Sequence, residues 1–210
     1  MFVKSIMIPK FKCYFVTVED TLEYTLQTLE KNGVDGVPVL KDQQYAGIVT
    51  RNSIYKHYFE TGGNRDLYLT STKAGEIATH KDDVLKGDEI MEKTLLKLKQ
   101  FPLLAVVDEQ NVFLGVVTRF DVLEQFQSAF GMQKKGIRIA FTSVETEGRI
   151  AKLAEITRHY HEHIISLVTF DESDQLLRRI VMKIEPTSNL EKFTKKLEES
   201  GFRILDITKD

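Results

Sequence analysis

Gly47-Ile48-Val49-Thr50-Arg51 recurs as Gly115-Val116-Val117-Thr118-Arg119, 68 positions later (115 against 47). Each copy follows an apolar, strand-like run: Val37-Pro38-Val39-Leu40 in one, Leu104-Ala105-Val106-Val107 in the other. Duplication at this period predicts two copies of one supersecondary unit packed together. Such a pair encloses a cleft, and clefts are where small molecules bind.

Outward from the first motif, Tyr14 to Val18 reads as a short strand. Asp20-Thr21-Leu22-Glu23 reads as a capping box, with the Asp side chain on a free amide and Glu23 reaching back. Leu22, Leu26 and Leu29 recur at helical spacing, and Gly33 stands where a left-handed helix stop belongs. Strands follow over Val37–Leu40 and Tyr45–Val49, with a turn at Asp42-Gln43-Gln44, then a helix from Asn52 to Phe59. The second unit repeats the order: a brief strand over Asp83–Leu85, then a helix with Met91, Leu95 and Leu98 on its apolar face. Strands at Val106-Val107 and Phe113–Val117 follow, and a closing helix over Asp121–Phe130. Between the units, Thr61 to Asp66 and on to about residue 72 reads as a loop, mobile or a flap.

After the glycine-bounded linker Gly131–Gly136 a third region begins. Arg138–Val144 alternates like a half-buried strand, and Gly148–His159 is a helix with Ile150, Leu153, Ile156 and Thr157 inward. Ile164–Phe170 and Arg179–Ile184 are strands joined by the acidic turn Asp171-Glu172-Ser173-Asp174. Ser188-Asn189-Leu190-Glu191 reads as a second capping box, opening a helix whose face is Leu190, Phe193 and Leu197 and which Gly201 ends. Phe202–Ile207 closes a β-α-β-β-α-β order, the ferredoxin-like arrangement.

Composition narrows the function. A chain of 210 residues with 42% hydrophobic residues holds one large domain or two small ones around a real core. A net charge of −2 offers no basic surplus, which argues against nucleic acid as a partner. Apolar runs such as Leu103–Val107 fall far short of the ~20 residues that span a bilayer, and the N-terminus reads as no signal peptide. Cys13 is the only cysteine, so no intramolecular disulfide forms. A soluble cytoplasmic protein, not a membrane one, is expected.

The duplicated half resembles a pair of cystathionine-β-synthase (CBS) domains, the Bateman module. Gly33, Val37-Pro38-Val39 and Gly47–Arg51 match in the first copy. Leu104–Asp108 and Gly115-Val116-Val117-Thr118-Arg119-Phe120-Asp121 match in the second, the last seven fitting the nucleotide motif Gly-x-x-Thr-x-x-Asp. The C-terminal third looks like an ACT domain, with Thr146-Glu147-Gly148-Arg149-Ile150 as the glycine turn opening its first helix. The combination is similar to AcuB-type proteins. The expected domains are therefore residues 1–64 (CBS 1), 65–130 (CBS 2) and 136–210 (ACT-like), in an α/β fold.

The resemblance implies a regulatory module with no cofactor, whose cleft takes an adenosine-containing ligand: AMP, ATP, S-adenosylmethionine or cyclic di-AMP. Cyclic di-AMP is narrowly favoured, helped by Lys12, Arg51 and Arg119 near the supposed phosphates. Asp121 has two oxygens to accept a ribose diol, Thr118 offers a hydroxyl at a helix start, and Arg119 a charge-assisted contact. The pseudo-twofold packing of CBS repeats implies that this site borrows Lys12, Cys13 and Tyr14, with Asp35, Gly36 and Val37. In the first copy Ser53 replaces the Asp, and in the second Ala105 replaces the usual proline. A weaker site is thus expected around Thr50, Arg51, Ser53, Thr79, His80 and Ala105. The resemblance also implies a symmetric homodimer and a regulated protein partner.

Plainer readings stand beside these. Thr118 and Asp121 suit a helix N-cap and a first-turn acid, though the duplicated frame favours ligand binding; for Thr50 and Ser53 capping is favoured. His159, His161 and His163 fit a helix C-terminus better than a metal site. Cys13 reads as a small lining residue, and Gly148 divides evenly between a turn and an amino-acid site. No P-loop, Gly-x-Ser-x-Gly, His-Glu-x-x-His or GxGxxG occurs, so a sensor is expected rather than an enzyme. Two rivals remain: an amino-acid-responsive ACT regulator with the CBS pair as dimerisation scaffold, and an interaction protein without a ligand.

Overall fold

Strand chemistry and caps set the order of elements. In the computed structural model, which describes residues 2–99, 101–172 and 176–210, the chain opens with 3-10 turns around β1 (Ile8–Pro9). Next come β2 (Val16–Thr17), α1 (Leu22–Lys31), β3 (Gly36–Lys41), β4 (Gln44–Thr50) and α2 (Arg51–Thr61). Then α3 (Arg65–Ser71), α4 (Ala74–Ile77), β5 (Val84–Leu85), α5 (Met91–Leu98), β6 (Leu103–Val107), β7 (Phe113–Thr118) and α6 (Arg119–Ala129). The remainder is β8 (Ile137–Val144), α7 (Arg149–His159), β9 (Ile164–Glu172), β10 (Leu177–Ile184), α8 (Leu190–Glu199) and β11 (Phe202–Lys209). Two compact units result, Met1–Leu123 and Glu124–Asp210. Among the described residues no helix is long and apolar enough to cross a membrane.

The first unit contains the two βαββα copies. In each, a short strand pairs in parallel with the next, which pairs antiparallel with a third: β2-β3-β4 and β5-β6-β7. The third strand ends on the motif threonine, with Gly36 opposite Thr50 and Leu103 opposite Thr118. β3 and β6 are almost wholly apolar and buried, as strands covered on both faces must be. Leu40, Tyr45 and Ile48 from the first copy close a common core with Leu103, Ala105, Val107, Phe113 and Val116 from the second.

The copies also exchange backbone. β1, which precedes the first copy, pairs with β7 of the second: Ile8 faces Val116 and Pro9 faces Gly115. Thr79, which precedes the second copy, bridges Ile48 of the first, with Ile48 N–H on the Thr79 carbonyl at 2.8 Å and the reverse bond at 3.1 Å. The motif glycines explain the exchange. A Cβ on Gly115 would stand 2.2 Å from the Ile8 carbonyl oxygen, and one on Gly47 would stand 2.8 Å from that of Thr79. Only glycine admits a crossing strand so close.

Residues 61–72, expected as a loop, carry α3. Its N-cap is Asn64, whose side chain accepts the Leu67 N–H at 3.0 Å. Tyr68 and Leu69 bury themselves in the first copy's core, and the Tyr68 hydroxyl donates to the Ile54 carbonyl at 3.1 Å. Seven residues are too few for a helical period to show in sequence. The caps of two other helices differ from expectation. Thr21, not Asp20, caps α1, accepting the Tyr24 N–H at 3.2 Å, while Asp20 turns back to the Thr17 N–H. Asn189 precedes α8 without a side-chain cap; its own N–H is taken by the Thr187 hydroxyl.

The second unit is an antiparallel sheet in the order β11-β8-β10-β9, with α7 and α8 on one face: the ferredoxin-like βαββαβ arrangement. Its core joins Ile139, Phe141, Ile180 and Met182 to Leu153, Ile156, Phe193 and Leu197. Gly148 turns the chain into α7 at φ 80°. Of the expected acidic turn, Ser173 and Asp174 lie outside the described residues.

Gly115→Ala is expected to destabilise the protein by roughly 2–3 kcal/mol, because the new methyl must expel β1 or distort β7. Urea unfolding measures this, and an unchanged midpoint would show that β1 does not depend on that approach.

Candidate functional site

Both copies build their motif the same way. β4 ends at Thr50, whose hydroxyl accepts the Ser53 N–H at 3.0 Å while the Ser53 hydroxyl accepts the Thr50 N–H at 2.9 Å. β7 ends at Thr118, whose hydroxyl accepts the Asp121 N–H at 3.2 Å. The Thr118 N–H and hydroxyl both donate to Asp121 Oδ2, at 2.8 and 2.5 Å. Each is a reciprocal cap that satisfies free amides at a helix start.

The arginines are equivalent too. Arg51 donates to the carbonyls of Leu29 and Val34 at 3.3 and 3.1 Å; Arg119 donates to those of Leu98 and Phe101 at 3.1 and 3.2 Å. Both hold the carbonyl end of the preceding helix and the loop after it. The sequence suggested a phosphate contact, but these hydrogen bonds point the guanidinium at backbone.

A cleft of about 480 Å³ lies beside Thr118. Of the nine residues expected in the principal site, it gathers seven: Lys12, Cys13 and Tyr14 from the N-terminal segment, Asp35 and Gly36 from the first copy, and Thr118 and Arg119 from the second. Val37 is turned into the first copy's core by strand alternation. Asp121 is not on the lining, because its carboxylate folds back onto Thr118. Its charge still acts on Cys13. The walls also include Ile8, Pro38, Leu103 and Val116, with Phe120 and Leu123 of α6 at the mouth. From the sequence Phe120 is read only as a motif filler and Leu123 is passed over; the signal was an aromatic between the motif threonine and acid, 72% exposed here.

Cys13 Sγ lies 3.3 and 3.4 Å from the carbonyls of Ile8 and Pro9. Burial pushes its thiol up from 9.0 to about 11, opposed by the Val116 backbone and reinforced by the negative charge of Asp121.

A second cleft of about 390 Å³ gathers Thr50, Arg51, Ser53, Thr79 and His80 of the weaker set. Ala105 is not among them: it is fully buried opposite Val116 in the common core. His80, at φ 59°, lies with its ring centroid 3.7 Å from that of Phe101. The Tyr45 hydroxyl holds its carbonyl at 2.9 Å, and burial raises that phenol's pKa, with the charge of Asp83 adding to it. Ser53 is occupied by capping, so the side-chain acid of this cleft is Asp35, which with Pro102 lines both. Among the described residues no group of three or more His, Cys, Asp or Glu is placed to hold a metal.

The profile of the CBS domain family matches residues 3–60 and 74–128. An inosine-5'-monophosphate dehydrogenase of Korarchaeum cryptofilum (strain OPF8) is 27% identical over 165 residues, covering 72% of this chain and 32% of that one. The chain therefore spans about a third of that curated relative. A CBS domain-containing protein of unknown function from Bacillus anthracis str. Ames Ancestor superposes with a TM-score of 0.55 at 26% identity, covering 60% of this chain and 93% of that one. CbpB in complex with c-di-AMP shares the fold, with a TM-score of 0.53 at 23% identity, covering 61% of this chain and 85% of that one.

The raised thiol pKa has a kinetic consequence. With the thiol raised to about 11, little thiolate is present at pH 8, so alkylation of Cys13 by iodoacetamide is expected to run roughly tenfold or more slower than for a free cysteine, the greater basicity of the residual thiolate offsetting part of the loss. Reaction at the free rate would place the thiol outside the wall of the cleft.

Proposed function

We propose, from the premise that this chain belongs to the CBS domain family, that it is a regulatory sensor whose larger cleft binds an adenine nucleotide. The observation that carries this reading is the convergence of three separate segments on one cleft: residues 12–14, residues 35–36, and the Thr118-Arg119 pair. In this reading the adenine lies against Ile8, Pro38, Leu103 and Val116, with main-chain groups near Gly36 reading its edge. The ribose diol is taken by a carboxylate, Asp35 on the wall or the second oxygen of Asp121 behind Thr118. Phosphate is drawn by the positive charge of Lys12 on the cleft wall. The c-di-AMP complex of CbpB and Lys12 on the cleft wall support cyclic di-AMP ahead of AMP or ATP. Binding that favours one of two arrangements shifts an equilibrium that a protein partner reads. Exposed aromatic residues on α2 and α6, Phe59 and Phe120 among them, support a homodimer in which these helices are covered.

A second reading concerns the C-terminal unit. The left-handed turn at Gly148 and the ferredoxin-like order support an ACT domain, hence an AcuB-like arrangement responding to an amino acid. A thermal-shift panel separates the two: stabilisation by an amino acid and by no adenine compound favours this reading.

The principal test is calorimetric titration of the purified chain with cyclic di-AMP, AMP, ATP and S-adenosylmethionine side by side. Cyclic di-AMP is expected to bind most tightly, and failure of all four overturns the nucleotide reading. Asp35→Ala and Asp121→Ala separate the two carboxylates. Loss of the ribose acceptor is expected to weaken binding by about tenfold or more. Asp121→Ala also costs about 1 kcal/mol of stability through the lost cap. Unchanged affinity in Asp121→Ala leaves that residue a cap alone.

A further inference from the structure

Lys183 occupies the middle of β10 between Met182 and Ile184, both in the core of the second unit. Strand alternation sends its side chain to the other face of the sheet, away from α7 and α8. It is nevertheless only 6% exposed. Its ammonium pairs with the carboxylate of Asp210, whose N–H is held by the Gly136 carbonyl at 3.1 Å. Directly across the ladder stands Arg138 on β8, itself paired with Asp206 at 3.0 Å.

Like charges placed directly opposite on a sheet repel, and a buried ammonium loses hydration that one half-exposed acid recovers only in part. Two aliphatic residues would serve a plain sheet better. The two cations share a cavity of about 450 Å³ with Lys134 and Lys135, so among the described residues its lining carries four cations and one acid, Asp210. The rest of the lining is largely apolar: Phe130, Met132 and Val181. Phe130 is held in place, since its carbonyl accepts the Ser166 hydroxyl at 3.0 Å and its ring stacks 6.2 Å from that of Phe170.

We propose that this face of the C-terminal sheet binds a small organic carboxylate with a short apolar body. The carboxylate lies between Lys183 and Arg138, whose planar fork suits it, and the body rests on Phe130, Met132 and Val181. Asp210 holds the same position against Lys183 and therefore competes with the ligand. The site is separate from the nucleotide cleft, shares no residue with it, and does not depend on that reading.

The test is calorimetric titration of the full chain with phenylacetate and isovalerate, against benzyl alcohol and inorganic phosphate. One of the two carboxylates is expected to bind at one per chain, with the alcohol and phosphate at least tenfold weaker. Lys183→Met, which keeps the packing of the aliphatic stem, is expected to weaken binding at least tenfold. Arg138→Gln, at a more exposed position, is expected to weaken it severalfold and serves if Lys183→Met does not fold. Asp210→Asn removes the internal competitor and is expected to tighten binding severalfold, a gain that a purely structural ion pair does not produce. Binding of neither carboxylate, equal binding of phosphate, or an Asp210→Asn affinity unchanged or weakened overturns the proposal.

Discussion

At Gly115 a β-carbon would lie 2.2 Å from the Ile8 carbonyl oxygen, and at Gly47 one would lie 2.8 Å from that of Thr79. The first unit depends on these two close approaches. Each lets a segment that precedes one copy hydrogen-bond to the edge of the other, β1 as an edge strand on β7 and Thr79 as a single bridge to Ile48. The exchange covers edges that would otherwise expose unpaired amides and carbonyls. It also carries the chain after β1 past Thr118, which is how Lys12, Cys13 and Tyr14 come to line the larger cleft.

The Thr-Arg pair then shapes the clefts from the inside. The threonine ends a strand and starts a helix with its hydroxyl, while the arginine ties down the carbonyl end of the helix before. Both tasks are structural, and they set a capped helix start beside each cleft. Three positions on, the two copies differ in charge. Asp121 accepts two donors from Thr118 and places a negative charge near Cys13, whereas Ser53 caps as a neutral hydroxyl. The clefts are therefore electrostatically unequal even though their backbones match, and Asp35, shared by both walls, is the carboxylate they have in common.

The C-terminal unit applies the opposite economy of charge. Its helix-covered face is mostly aliphatic and aromatic, with Phe141 and Phe202 edge to face at 5.5 Å and the buried Ser143 hydroxyl taken by Arg149. Its other face keeps Lys183 and Arg138 side by side and pairs each with an acid on the closing stretch of chain, Asp210 and Asp206. Charges held so close to an apolar floor are costly unless they answer to something.

The duplicated stretch, the alternation of Arg138–Val144 and the apolar periods of the longer helices were enough to determine the order of the longer elements in both units, because hydrophobic spacing is a local property of the chain. Short elements escaped: α3 has no period to read, and its identity rests on Tyr68 and Leu69 finding a core built by distant residues. Seven of the nine residues that the family resemblance put in the principal site line the larger cleft. Val37 and Asp121 fell elsewhere because strand pleat and a local cap, not motif membership, decide where a side chain points. Tertiary structure alone decided that Phe120 and Leu123 flank the cleft, that Arg51 and Arg119 clamp backbone, and that Lys183 is buried beside Arg138. Those facts join residues far apart in the chain, and no local pattern encodes which groups meet when sheets and helices close on one another.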